Sequence, residues 1–146
     1  MRRMFLNGTA MRGQKDHGAV AGATFAGAAR TAPRYRFFAV RDEFPGLLPV
    51  AEGGGSIVGE LYVMTEEALV EGLLPEEPKE LELGEIELAD GEIVNAMHLV
   101  PARLVEGDKV VDITAIGGFR AYQAFLAANE PATLARTLAT GAPGPA

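Results

Sequence analysis

The sequence predicts an α+β domain: a small, curled, mixed but mainly antiparallel β-barrel carrying two or three short helices. Three observations predict it. Short apolar or alternating runs recur along the chain, each bounded by Gly, Pro, Asn or Asp, the punctuation of a strand-rich domain. Asp90-Gly91 lies between two of these runs and suits a hairpin turn that needs positive φ. A helical stripe is clear in one place, from Phe119 through Tyr122 and Phe125 to Leu126.

In chain order, Met4-Phe5-Leu6 reads as a buried strand feeding the loop that begins at Asn7-Gly8-Thr9. Gln14 to Gly22 is rich in Ala and Gly and admits one weak helical turn with Asp16 as its cap. Ala23 to Ala29 and Tyr35 to Val40 are strands separated by the Thr31-Ala32-Pro33 break. Pro45 and Pro49 bracket an irregular or short extended piece. After Gly53-Gly54-Gly55, Ser56 to Met64 is the strongest strand of the chain. Thr65 is the cap of a short helix that opens on Glu66 and Glu67, runs to about Leu74 and stops at Pro75 and Pro78. The hairpin pairs Leu83 to Leu88 with Glu92 to Val100. Lys109-Val110-Val111 is a last short strand before the closing helix, Gly118 to about Ala128. Residues 1–129 thus form one domain, and 130–146 a Pro/Ala-rich tail with too few large apolar residues for a core of its own.

With 146 residues the chain can bury a single core without a disulfide or metal staple. Cysteine is absent, which excludes disulfides, thiolate metal sites and a cysteine nucleophile. The formal net charge of −7 argues against nucleic acid as a partner. No apolar run approaches the roughly 18 residues of a membrane span, so a soluble protein in the cytoplasm is the expectation. The basic residues cluster in the first 41 positions and the acids between Glu60 and Glu92, as expected if the two halves pack against each other.

Several side chains stand out chemically. Glu60 lies in Ile57-Val58-Gly59-Glu60-Leu61-Tyr62-Val63-Met64, where neither face of the strand looks wet. Such a carboxylate is either paired with an N-terminal arginine or raised in pKa for proton transfer. The loop Asn7-Gly8-Thr9-Ala10-Met11-Arg12-Gly13 can converge backbone N–H groups on an anionic or carbonyl oxygen, or can be a plain turn at a strand end. His17 follows it closely enough to reach a ligand held there, whereas His98 reads as a satisfied core imidazole. Arg34 and Tyr35 flank the Pro33 break as a carboxylate clamp and a phenol donor, or as solvated loop residues. Glu76 and Glu77 form an acidic turn before Pro78. Two histidines make no metal motif, and no cofactor is expected.

Residues 4 to 128 resemble the γ-glutamyl-cyclotransferase-like superfamily, whose domains are small mixed barrels with a ligand pocket at one end. Asn7-Gly8-Thr9-Ala10 stands where those domains carry a Tyr-Gly-Ser/Thr-Leu type of loop, and "VGELYVMTEEAL" matches the following strand and helix. Within the superfamily, "ARTAPRYRFFAV", "ELGEIELADGE" and "DITAIGGFRAY", in that order, are similar to the C-terminal domain of allophanate hydrolases. The resemblance implies decarboxylation of an N-carboxycarbamate-like substrate left after an amidase has acted. Substrate would be held by Asn7, Gly8, Thr9, Ala10, Arg34 and Tyr35, and the proton moved by Glu60, Glu77 or His17. Allophanate-type loops carry a histidine near the position of Ala10, a place His17 would have to fill. Glu77 is nearest by spacing to the general acid/base of cyclotransferases, so γ-glutamyl cyclotransfer with release of 5-oxoproline is the alternative. A non-catalytic module that assembles with an amidase is a third reading. The implied partners are a small anionic or amide substrate and an amidase-type protein, with a homodimer left open.

Overall fold

In the computed structural model, which describes residues 1–129, the chain starts in the middle of its sheet. Strand β1 (Arg2–Leu6) buries Met4, Phe5 and Leu6 completely or nearly so. It pairs antiparallel with β5 (Val58–Met64), Met4 opposite Tyr62 and Leu6 opposite Glu60. The outer edge of β5 takes β2 (Thr24–Arg30), which bulges between Phe25 and Gly27, where Gly27 adopts a φ of 123°. The bulge bends this edge strand and interrupts its free ladder, which blunts edge-to-edge pairing.

The other half of the sheet is a hairpin, β3 (Tyr35–Val40) against β4 (Phe44–Pro49), extended by the short β8 (Val110–Asp112) on β3. Of the two readings of the segment between Pro45 and Pro49, irregular or short extended, the structure takes the extended one, as a regular strand. Pro45 lies opposite Ala39, ahead of Leu47, where β4 meets the later strand β7 (Ile93–Leu99). A ladder donor is not needed there, which is the position a strand proline tolerates.

The Asp90-Gly91 hairpin forms as expected: β6 (Leu81–Glu87) pairs with β7 (Ile93–Leu99), and Gly91 takes a φ of 91°. The sheet order is β2-β5-β1-β7-β4-β3-β8, with β6 added on β7. It curls without closing into a full barrel. A single bridge from Thr31 to Leu88 ties the end of β2 to the end of β6, and the Thr31 hydroxyl accepts the Ile57 N–H there.

Helical pieces cover the ends. Asp16 precedes a 3₁₀ turn (His17–Val20) but makes no side-chain cap. Thr65 caps the next helix by accepting the Ala68 N–H at 3.0 Å. That helix winds as a π-turn (Ala68–Leu73) and tightens into a 3₁₀ turn (Leu74–Glu76) around Pro75. Helix α1 (Phe119–Ala128) starts at Gly118 and buries Phe119 and Tyr122, while Phe125 is 52% exposed. Its buried stripe is narrower than the apolar spacing suggests, because Phe125 stacks on Tyr122 from the solvent side. No described helix is long and apolar enough to cross a membrane. The tail from 130 lies outside the described residues.

Candidate functional site

A strand has two edges, and β6 occupies one edge of β7 along its length, so β1 and β4 must share the other. Both run parallel to β7, β1 meeting it at Asn95 and β4 at His98. Where β4 replaces β1 the two strands part, and backbone leaves the sheet in a fork. A small cavity opens in this fork, with about 20 Å³ accessible to the centre of a water molecule. Phe5, Leu6, Phe44, Pro45, Leu81 and Met97 supply its apolar wall, and Asn7, Gly8, Thr9, Ala10 and Glu77 its polar one.

The loop leaving β1 is held on several sides. Gly8 accepts the Met11 N–H at 3.1 Å, Thr9 accepts the Asp16 N–H at 2.8 Å, and His17 Nδ1 lies 3.0 Å from the Ala10 carbonyl. Gly8 is required by contact: a Cβ there would come within 2.7 Å of Pro45 Cδ. The N–H groups of Gly8, Thr9 and Ala10 donate to no backbone acceptor among the described residues. Three adjacent unspent amides on a cavity wall form a concavity suited to an anionic or carbonyl oxygen.

Glu77 lines the same cavity. Its peptide is extended, as a residue before proline must be, and directly follows the 3₁₀ turn. Burial pushes its carboxyl up to about 7, with help from the Asp16 charge, and no basic group offsets the shift. The π-turn that leads to Glu77 packs against the 3₁₀ turn His17–Val20 at Gly72, where an added Cβ would lie 3.2 Å from the Ala19 carbonyl oxygen. The 3₁₀ turn itself reaches the loop through His17 Nδ1 and the Ala10 carbonyl. Asp16, read from the sequence only as a cap, acts on the site through its charge.

Glu60 lies outside this cavity's lining. It is 2% exposed, and its oxygens accept the Arg12 N–H at 2.9 Å, Arg12 Nε at 3.0 Å, Tyr62 OH at 3.0 Å and Arg120 Nη2 at 3.1 Å. Burial alone would raise its pKa, but these donors outweigh it and hold the carboxyl below its ordinary value. The same carboxylate raises the Tyr62 phenol, together with burial, to about 12. Arg34 and Tyr35 lie at the far end of the β3–β4 hairpin from Phe44 and Pro45. There Arg34 is 3.6 Å from Glu87, and the Tyr35 hydroxyl accepts the Glu87 N–H. The fold thus brings Asn7 to Ala10 and Glu77 together, with His17 behind the loop, and leaves Glu60, Arg34 and Tyr35 apart. His98 is only half-buried, its Nε2 2.9 Å from the Glu85 carbonyl. Among the described residues, no group of three or more His, Asp or Glu side chains converges to hold a metal ion.

The family model of the allophanate hydrolase C-terminal domain matches residues 2–124. The chain belongs to that family. An allophanate hydrolase C-terminal-type domain also accounts for the fold likenesses. A uropathogenic E. coli-specific protein is 33% identical with a TM-score of 0.77, over 84% of this chain and 95% of that one. Kluyveromyces lactis allophanate hydrolase is 26% identical with a TM-score of 0.76; the match covers 86% of this chain but 21% of that much longer enzyme. A mouse AIG2-like protein, 22% identical over 73% of this chain and 80% of that one, shares the fold at a TM-score of 0.54. The allophanate hydrolase C-terminal resemblance read from the sequence therefore stands, and the fold is the one shared with the AIG2-like protein. No curated protein sequence matches the chain.

Proposed function

We propose that this domain is a small-molecule enzyme in which Glu77 transfers a proton to or from a substrate whose carboxylate or carbonyl rests on the Gly8, Thr9 and Ala10 amides. One observation carries the reading: a half-buried carboxyl, raised to about 7 and without a basic partner, shares a small cavity with three unspent N–H groups. A group poised near neutral pH is suited to general acid/base work.

Membership in the allophanate hydrolase C-terminal family favours N-carboxycarbamate as the substrate. Neutral Glu77 donates its proton to the central nitrogen as the C–N bond breaks; the bonding pair stays on nitrogen, and CO₂ and carbamate leave. Water then reprotonates Glu77. An amidase acting on allophanate would supply the substrate, either as a separate protein or in one assembly. His17, bonded to the Ala10 carbonyl, holds the loop in this scheme.

The test feeds the purified protein N-carboxycarbamate generated in place by an amidase and follows CO₂ release. Acceleration over buffer is expected, falling about 10²–10⁴-fold in Glu77→Gln and declining as pH rises through about 7, where the acid loses its proton. No acceleration sinks the decarboxylase reading. The same carboxyl, as a base, would serve γ-glutamyl cyclotransfer, and release of 5-oxoproline from a γ-glutamyl amine would support that alternative instead. Failure of both assays together with capture of an amidase would favour the assembly module.

A further inference from the structure

The group that sets the geometry of the site loop comes from the other end of the chain. Arg12 follows the amide-bearing segment, and both of its backbone polar atoms are held: its N–H by Glu60 and its carbonyl by Arg120 Nη2. Arg120 Nη2 also reaches the second Glu60 oxygen, so acid and guanidinium close on the loop as one unit. Glu60 stands opposite Leu6, the last residue of β1, where the loop leaves the sheet. Arg120 lies in the first turn of α1, and Gln123 on the same helix pairs with Gln14 of the loop at 2.9 Å. The carboxylate is buried, whereas both guanidiniums are about half exposed. This arrangement fixes a backbone position, and it leaves Glu60 no proton to exchange near neutral pH.

We infer that Glu60 and Arg120 are positioning residues that bracket Arg12 and thereby aim the Gly8, Thr9 and Ala10 amides into the cavity. The inference rests on the reading that those amides receive a substrate carboxylate. It assigns the family-diagnostic segment around Arg120 a second task beyond packing, since helix α1 carries one arm of the site.

Malonate is the probe, because it has the shape of N-carboxycarbamate with CH₂ in place of NH and cannot lose CO₂ as readily. The full chain is titrated with malonate while the amide NMR signals of Gly8, Thr9 and Ala10 and the Glu77 carboxyl signal are followed. Arg120→Met should fold, since the side chain it replaces is about half exposed. It should shift the three loop amides before any malonate is added and weaken malonate binding by about tenfold or more, the loss of one charge-assisted bond. Arg120→Lys should recover part of the affinity. Glu60→Gln should act in the same direction. The Glu77 midpoint should stay near 7 in each variant, which separates a moved loop from a collapsed cavity. Wild-type loop signals in Arg120→Met and Glu60→Gln overturn the bracket. If wild-type protein ignores malonate, the carboxylate reading fails on its own, and the unliganded amide positions still decide for or against the bracket.

Discussion

Glu77 and Glu60 are both acids in apolar surroundings, and their environments push them in opposite directions. Glu60 finds donors in Arg12, Tyr62 and Arg120, so its charge is stabilised. Glu77 finds a neighbouring negative charge and none of those donors. The apolar faces around Glu60 are legible in the sequence, but whether such an acid is paired or perturbed depends on residues 48 and 60 positions away. Glu77 carries no local signal at all: Leu-Pro-Glu-Glu-Pro reads as a wet turn, and only the family resemblance singles it out. A consequence follows for stability. The folded state holds the Glu77 proton from its ordinary value of 4.5 up to about 7, so stability is lost as pH rises through that interval and is unaffected below it. Glu77→Gln removes the buried charge. Urea unfolding should find the variant more stable at pH 8 by about 1–3 kcal/mol and indistinguishable from the parent at pH 4. Equal stability at both pH values would mean that the carboxyl is well hydrated.

At the scale of elements, the site is a product of strand geometry. The fork opens because β1 and β4 compete for one edge of β7, and that competition involves parallel pairings between segments far apart in sequence. Alternation and turn residues found the β6–β7 hairpin and the strands β1, β3 and β5, since those signals are local. They left β4 open between an irregular and an extended piece, since its prolines read as breakers until its unpaired stretch is known, and they gave no sign of the π-winding that leads to Glu77. The sheet beside the fork tolerates little added volume. Gly59, on β5 between β1 and β2, has no room for a side chain: a Cβ would press on the Leu6 carbonyl and come within 2.7 Å of Phe5 Cζ. Gly59→Ala should therefore cost about 3 kcal/mol, at the upper end of overpacking penalties, read as a lower urea midpoint. A midpoint within a few tenths of the parent's would show that β1 can yield at its end.

For the whole molecule, the uneven charge distribution has a direct structural counterpart. N-terminal arginines pair with acids from the other half: Arg2 with Glu66, Arg3 with Glu92, Arg12 with Glu60 and Arg41 with Glu80. The exposed pairs add little stability individually, but they agree with the sheet order that interleaves the two halves. The family match ends at residue 124, and among the described residues the last buried members of the core are Phe119 and Tyr122, with Leu126 packed against it. A chain truncated after Asn129 should therefore melt within a few degrees of the full chain, a shift worth under about 1 kcal/mol. A large loss of stability would place 130–146 within the folding unit.

The sequence by itself determined the fold class, most strands, the hairpin turn, the closing helix and the family, because periodicity, turn residues and motif order are written locally along the chain. Which acid is neutralised by arginines and which is left to hold a proton was decided only by the tertiary structure. Solvation and charge pairing are properties of the space around a carboxyl, and that space is assembled from distant segments.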